Sequence, residues 1–225
     1  MIKGRQYKSK LTPKQAEKGI SLAIENANRL LDDAELLFKH DRYERALSLA
    51  VLAIEESGKP NIIRSILLLD DTKALINEWK NYRKHTAKNA EWILPDLVAK
   101  GANKLEDFRS LYDSNSEHGQ ILDDLKQLSF YTDTFSKCKW SIPKNVVTKE
   151  LSEMILKVAR ILVPASDSAM TTAPELELWV KHLKPISNEN MLELKQALIN
   201  CYNEAEQKGI LKGDKTTQEL INFAL

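Results

Sequence analysis

The chain has 225 residues, 43% of them hydrophobic, enough for one sizeable domain whose core needs no metal or disulfide staples. Its 33 basic and 32 acidic side chains leave a formal net charge of +1, which excludes a surface that is a nucleic-acid sleeve throughout.

The N-terminal arm, residues 1–17, is locally basic: Lys3, Arg5, Lys8, Lys10 and Lys14 face a single Glu17. Its simplest reading is a solvated, frayed terminus, with contact to RNA or an acidic partner as the alternative. Thr12, Pro13 and Gln15 then form a helix start with a capping box. Ile20, Ala23, Ile24, Ala27, Leu30, Leu31, Ala34, Leu37 and Phe38 predict one long amphipathic helix to about His40. His40 suits the helix C-terminus as a cation, and Asp41 is placed to cap the next helix. That central helix, from about residue 42, breaks or kinks at Ser57-Gly58-Lys59-Pro60, because proline inside a helix removes a hydrogen bond and clashes with the preceding turn. A short helix over 62–69 follows.

Asp70-Asp71-Thr72 opens a further helix marked by Leu75, Ile76, Trp79 and Tyr82, which runs on through His85 and Lys88 until Pro95. Trp79 and Tyr82 read as core residues. Residues 101–119 read as a loop with a short helix near 105–111, and His118 within it as a surface residue. A helix from about 119 is marked by Ile121, Leu125, Leu128 and Tyr131. The segment FSKCKWSIPKN reads as a loop with Trp140 and Pro143 against the bundle rim. Leu151, Met154, Ile155, Val158 and Leu162 predict another helix, residues 164–174 a linker, and 174–183, 188–208 and 215–223 shorter helices, with His182 on the surface. No convincing alternating strand appears. The pattern predicts an all-α antiparallel helical bundle over 18–163 with a short helical C-terminal extension over 164–225.

Cys138 and Cys201 stand far apart without metal-ligand spacing and read as free, non-catalytic thiols of a reducing compartment. No stretch approaches the roughly 18 apolar residues of a membrane span, and MIKGRQYKSK lacks an apolar h-region. A cytoplasmic protein with no membrane contact is expected.

The chemistry concentrates in RYERALSLAVLAIEESGKP, residues 42–60. Ala46 to Ile54 is apolar nearly all round the helix, with Ser48 the polar interruption, and ends in Glu55, Glu56 and Lys59. Carboxylates brought near an interior need cations or donors. Lys59 is one; His85 and Lys88, three apart on the next helix, complete a candidate cluster. Two readings stay open. In one, His85 transfers protons in metal-independent RNA cleavage while Lys88 and Lys59 stabilise phosphate charge and Glu55 or Glu56 orients the imidazole. In the other, the same residues form a buried salt-bridge network. Gly-rich phosphate loops, G-x-S-x-G, H-E-x-x-H and paired CxxC are absent, and none of the four histidines follows a glutamate by three. No metal or cofactor is expected.

The stretches GISLAIENANRLLDDAELLF, RYERALSLAVLAIEESGK, YRKHTAK and LSFYTDTFSKCKWSIPKNVVTKEL, in this order over about residues 18–163, resemble the AbiV family of abortive-infection proteins, a branch of the HEPN-like helical bundles. AIEESGK with a downstream H-x-x-K is the most specific element. The resemblance implies antiphage defence that blocks phage multiplication by interfering with translation, triggered by a phage protein, through a homodimer. It leaves two mechanisms: RNA cleavage, or non-catalytic binding of RNA, the translation machinery or a phage protein. HEPN ribonucleases typically carry an arginine, often followed by a polar residue, and then a histidine after a gap of four to six residues. Here the nearest counterpart is Lys80-Asn81 ahead of His85, and lysine lacks arginine's bidentate fork. Lys80, Asn81 and Arg83 are the implied RNA contacts.

Overall fold

The computed structural model describes residues 6–84, 118–135, 138–164, 168–186 and 191–211. Its elements are α1 (Pro13–Lys39), α2 (Tyr43–Ser57), α3 (Lys59–Leu68), α4 (Thr72–Arg83), α5 (His118–Phe130), β1 (Asp133–Phe135), β2 (Lys139–Ser141), α6 (Pro143–Val146), α7 (Lys149–Leu162), α8 (Ala173–Leu183) and α9 (Met191–Gln207). The fold is all-α, with one small hairpin among the described residues. The chain divides into two compact units, one of residues 1–22, 60–83 and 166–225, the other of residues 23–59 and 84–165.

In the second unit α2 packs against α5, α6 and α7. Ala34, Leu47, Ala50, Val51, Ile54, Leu122, Val147, Ile155, Leu156 and Ala159 form its core, which accounts for the nearly all-round apolar character of α2. The expected helix through Leu151 to Leu162 is present as α7, opened by Thr148, whose Oγ1 accepts from the Leu151 amide at 3.2 Å. Met154, one of the residues that marked this helix, is nevertheless exposed.

In the first unit Ile62, Ile66, Leu75 and Trp79 pack with Leu11, Leu69 and Tyr82, so Trp79 and Tyr82 are core residues as expected. Gly19 suits this unit because a Cβ there would stand 3.3 Å from Ile63 Cδ1. A second cluster joins Ala169, Met170, Leu178, Leu183, Cys201, Tyr202 and Ala205 with Leu68.

The α1 capping box is reciprocal: Thr12 N donates to Gln15 Oε1 at 2.9 Å and Gln15 N to Thr12 Oγ1 at 3.2 Å. Asp41 does not cap α2. It ends α1 in the left-handed region at φ 58°, while Arg42 N donates to Leu37 O and Asp41 N to Phe38 O. This is a Schellman closure, in which a short polar side chain tolerates positive φ. Arg42 is the N-cap of α2 without a side-chain bond. At the expected break, Gly58 alone separates α2 from α3, and Pro60 falls in the first turn of α3, where a missing N–H costs no hydrogen bond. Asp71 Oδ2 accepts from Ala74 N at 2.7 Å and opens α4. Helix α4 is described to Arg83, so its expected continuation through His85 to Pro95, and the short helix near 105–111, lie outside the described residues. The segment 215–223 does too.

Other expectations change. Residues 133–141 form an antiparallel hairpin, with Asp133 opposite Ser141, Thr134 opposite Trp140 and Phe135 opposite Lys139. Trp140 is 74% exposed and does not pack on the bundle, whereas Pro143 is buried. Residue 118 begins α5 rather than lying in a loop. The stretch read as a linker contains Ala169 and Met170, both buried, because the small and flexible side chains fill the core beneath α8 and α9.

Residues 6–12 are not a frayed arm. Trp79 Nε1 donates to Ser9 O at 3.0 Å, an Arg83 Nη donates to Tyr7 O at 2.7 Å, and the Tyr7 ring meets Trp79 edge-on at 5.7 Å. His182 is half-buried, 2.6 Å from a Glu204 carboxylate that also receives Lys181 and Lys208.

Candidate functional site

The α2 sequence places Ser48 and Glu55 seven residues apart, on one helical face. That face meets α5, where Leu122, Lys126 and Ser129 share a stripe at the same spacing. Glu55 is 2% exposed, and Lys126 Nζ donates to its Oε1 at 2.7 Å. The same ammonium lies 2.7 Å from Asp123 Oδ1. Above this pair, Ser48 Oγ donates to Ser129 Oγ at 2.6 Å and Ser129 Oγ donates to Lys126 O at 3.0 Å. The α2–α5 contact is therefore a polar seam bordered by Leu47, Val51, Ile54 and Leu122.

Burial pushes the Lys126 ammonium toward losing its proton, but the hydrogen bonds to Asp123 and Glu55 outweigh it and hold the pKa above its usual value. Lys126 is thus charged at neutral pH and cannot serve as a nucleophile or base. Its partner carboxylate is occupied in turn. Glu56 and Lys59, one helical turn apart and both mostly buried, form a separate ion pair across the Gly58 junction.

Of the expected cluster, the structure places Glu55 and Glu56 in the last turn of α2 and Lys59 at the start of α3, while His85 and Lys88 lie outside the described residues. Lys80 and Asn81 are exposed on α4, with Asn81 Nδ2 donating to Glu78 at 3.0 Å. Arg83 is committed internally, with one Nη donating to Trp79 O at 2.6 Å, another to Tyr7 O, and its guanidinium 5.3 Å above the Trp79 ring.

Lys126 was not among the expected site residues. The signal for it was present: a lysine four residues after Leu122 and three before Ser129 sits on the apolar stripe of α5, where only a charged partner makes it tolerable. Among the described residues, no group of three or more histidine, cysteine, aspartate or glutamate side chains is placed to hold a metal ion. No described helix is long and apolar enough to cross a membrane.

A family model described as AbiV, of the HEPN class, matches residues 15–164. No curated protein and no solved structure matches the chain. The match covers α1 to α7, the polar seam of Glu55 and Lys126 included, and its HEPN assignment agrees with the all-α bundle built on α2. This chain belongs to the AbiV family of HEPN-like abortive-infection proteins.

Proposed function

We propose that the protein stops phage multiplication by interfering with translation, as a cytoplasmic homodimer triggered by a phage product, and that it does so by binding RNA or the translation machinery rather than by cutting RNA. The family supports antiphage defence by abortive infection. One observation carries the choice between binding and cleavage: Glu55 is buried and taken by Lys126, and Glu56 is taken by Lys59. The Glu55–Lys126 pair stiffens the α2–α5 contact, and with both carboxylates engaged by lysines neither is set aside for the role the cleavage reading gives it, orienting the imidazole of His85. The lysine at position 80, standing where HEPN ribonucleases carry arginine, supports the same reading, since it offers charge without a bidentate phosphate fork.

The test is bacterial cell-free translation with the purified protein, with total RNA from the same reaction resolved in EDTA, for wild type and His85→Ala. Falling protein synthesis over intact RNA is the expected result. Metal-independent cutting by wild type, lost in a His85→Ala variant that melts at the same temperature, would instead establish a ribonuclease. Sedimentation of the purified chain tests the homodimer.

A further inference from the structure

Residues 6–12 carry no helix or strand, and Gln6 to Lys10 are all exposed, yet contacts from α4 and from Asp70 hold them in place within the first unit. Trp79 Nε1 donates to Ser9 O at 3.0 Å and an Arg83 Nη to Tyr7 O at 2.7 Å, while Lys10 Nζ donates to Asp70 Oδ1 at 2.6 Å. The Tyr7 ring stands edge-on to Trp79, and its hydroxyl donates back to Lys10 O at 2.6 Å. Leu11, in the apolar cluster of Trp79, anchors the base of the segment.

Each attachment beyond Leu11 is of a weak and replaceable kind. Lys10–Asp70 is an ion pair with both side chains more than half exposed, and Asp70 keeps Lys184, 2.8 Å away, when Lys10 leaves. The two α4 donors take main-chain carbonyls, which any polypeptide can offer in place of Tyr7 and Ser9. What lies beneath has the composition of a binding site. Arg83 stacks 5.3 Å above the Trp79 ring, and Trp79 meets Tyr82 edge-on at 5.4 Å. Tryptophan, tyrosine and arginine are the side chains most enriched where binding energy concentrates, because they combine large contact area with fixed donors. With residues 6–10 in place Trp79 is only 7% exposed; without them its indole N–H and one Arg83 Nη lose their acceptors.

We propose that residues 6–10 are a displaceable strap that keeps a binding face of Trp79, Tyr82 and Arg83 closed, so that the chain is autoinhibited until another polypeptide segment takes the strap's place. The incoming segment presents carbonyls to the two donors. Asp70 at the edge of the face favours a segment with a cation there and disfavours a polyanion. Assay of the strap through translation rests on the function proposed above.

The test uses the full chain with Lys10→Cys and Asp70→Cys in a Cys138→Ser background, compared before and after a short bismaleimide joins the two new thiols. Cys201 is buried and stays out of the reaction. Unlinked, this variant has lost the ionic tie; linked, its strap cannot leave. A second loosened protein, Tyr7→Gly, loses the ring contact instead, and Lys8→Gln, on the strap but outside its ties, is the control that should match wild type. In cell-free translation the two loosened proteins should halve synthesis at about a tenfold lower concentration than wild type, since a closed face lowers apparent affinity by its open fraction, and the linked protein should inhibit least. Wild type, unlinked and linked proteins inhibiting alike would overturn the strap and leave the proposed function standing. Weaker inhibition by the loosened proteins, together with earlier melting, would make residues 6–10 structural and overturn it as well. A labelled peptide of residues 6–12, QYKSKLT, reports the face without translation: it should bind Tyr7→Gly and the unlinked variant and be shut out by linking. Failure to bind Tyr7→Gly overturns the proposal, whereas binding in this pattern with no inhibition by any protein keeps the strap and overturns the proposed function.

Discussion

At the scale of single residues, the Glu55–Lys126 pair sets the sharpest expectation. Removing one member of a buried ion pair leaves the other charge stranded, at a cost of about 3–5 kcal/mol, whereas replacing both members by neutral groups of similar volume is far less damaging. Lys126→Met should therefore lose about 3 kcal/mol in urea unfolding, and adding Glu55→Gln should restore most of it. A double variant no more stable than the single would show that the pair is not the unit that matters. The two thiols give a second contrast. Burial is the main reason the Cys201 thiol is pushed up to about 12, while Cys138 is exposed next to β2. A thiol-reactive dye at neutral pH should label Cys138 quickly in the folded protein and Cys201 only on unfolding. Fast labelling of both would contradict the packing around α9.

At the scale of elements, two capping boxes differ in what surrounds them. Thr12 and Gln15 exchange bonds at the exposed start of α1, so Thr12→Ala should cost about 1 kcal/mol. At α8 the Glu175 carboxylate is fully buried and accepts from Thr171 N at 3.1 Å, Thr172 N at 2.9 Å and Thr172 Oγ1 at 2.8 Å. Glu175→Ala leaves three partly buried donors without their acceptor and should cost about 2–3 kcal/mol, more than the exposed box; denaturant midpoints for the two variants check the order. Both boxes are open to sequence reading because a cap and its partner lie three residues apart; Thr12-Gln15 stands out before a long periodic helix, whereas Thr172 falls in the stretch expected as a linker and Glu175 in the short helix after it. The hairpin was missed for a different reason. Its strands have three residues each, too few for alternation to stand out from noise.

At the scale of the whole molecule, stability should depend on acid pH through carboxylates that gather lysines from distant segments. Hydrogen bonds from Lys181, Lys208 and His182 hold Glu204 down to about 2, and those from Lys10 and Lys184 do the same for Asp70. A carboxyl lowered on folding adds stability at neutral pH that is lost as pH falls from its unfolded value toward the folded one. Wild type should thus lose melting temperature between about pH 4.5 and about pH 2, and Glu204→Gln should lose less over that window, with the difference shrinking in salt. Parallel curves would refute the linkage.

The sequence by itself determined what local spacing can determine. Helix α1 and its start, the junction of α2 and α3 at Gly58-Pro60, Asp71 opening α4, the core roles of Trp79 and Tyr82, and the family stretches are all set by residues within a turn or two of each other. Tertiary structure decided the rest. It gave Glu55 to Lys126 on α5, laid residues 6–12 against Trp79 and Arg83, buried Met170 with Cys201 and Tyr202, and left Trp140 in solvent. In each case the deciding energy is burial and charge pairing between residues 31 or more positions apart, or, for Trp140, the absence of any such cover among the described residues, and helical periodicity carries no record of which distant face will be opposite.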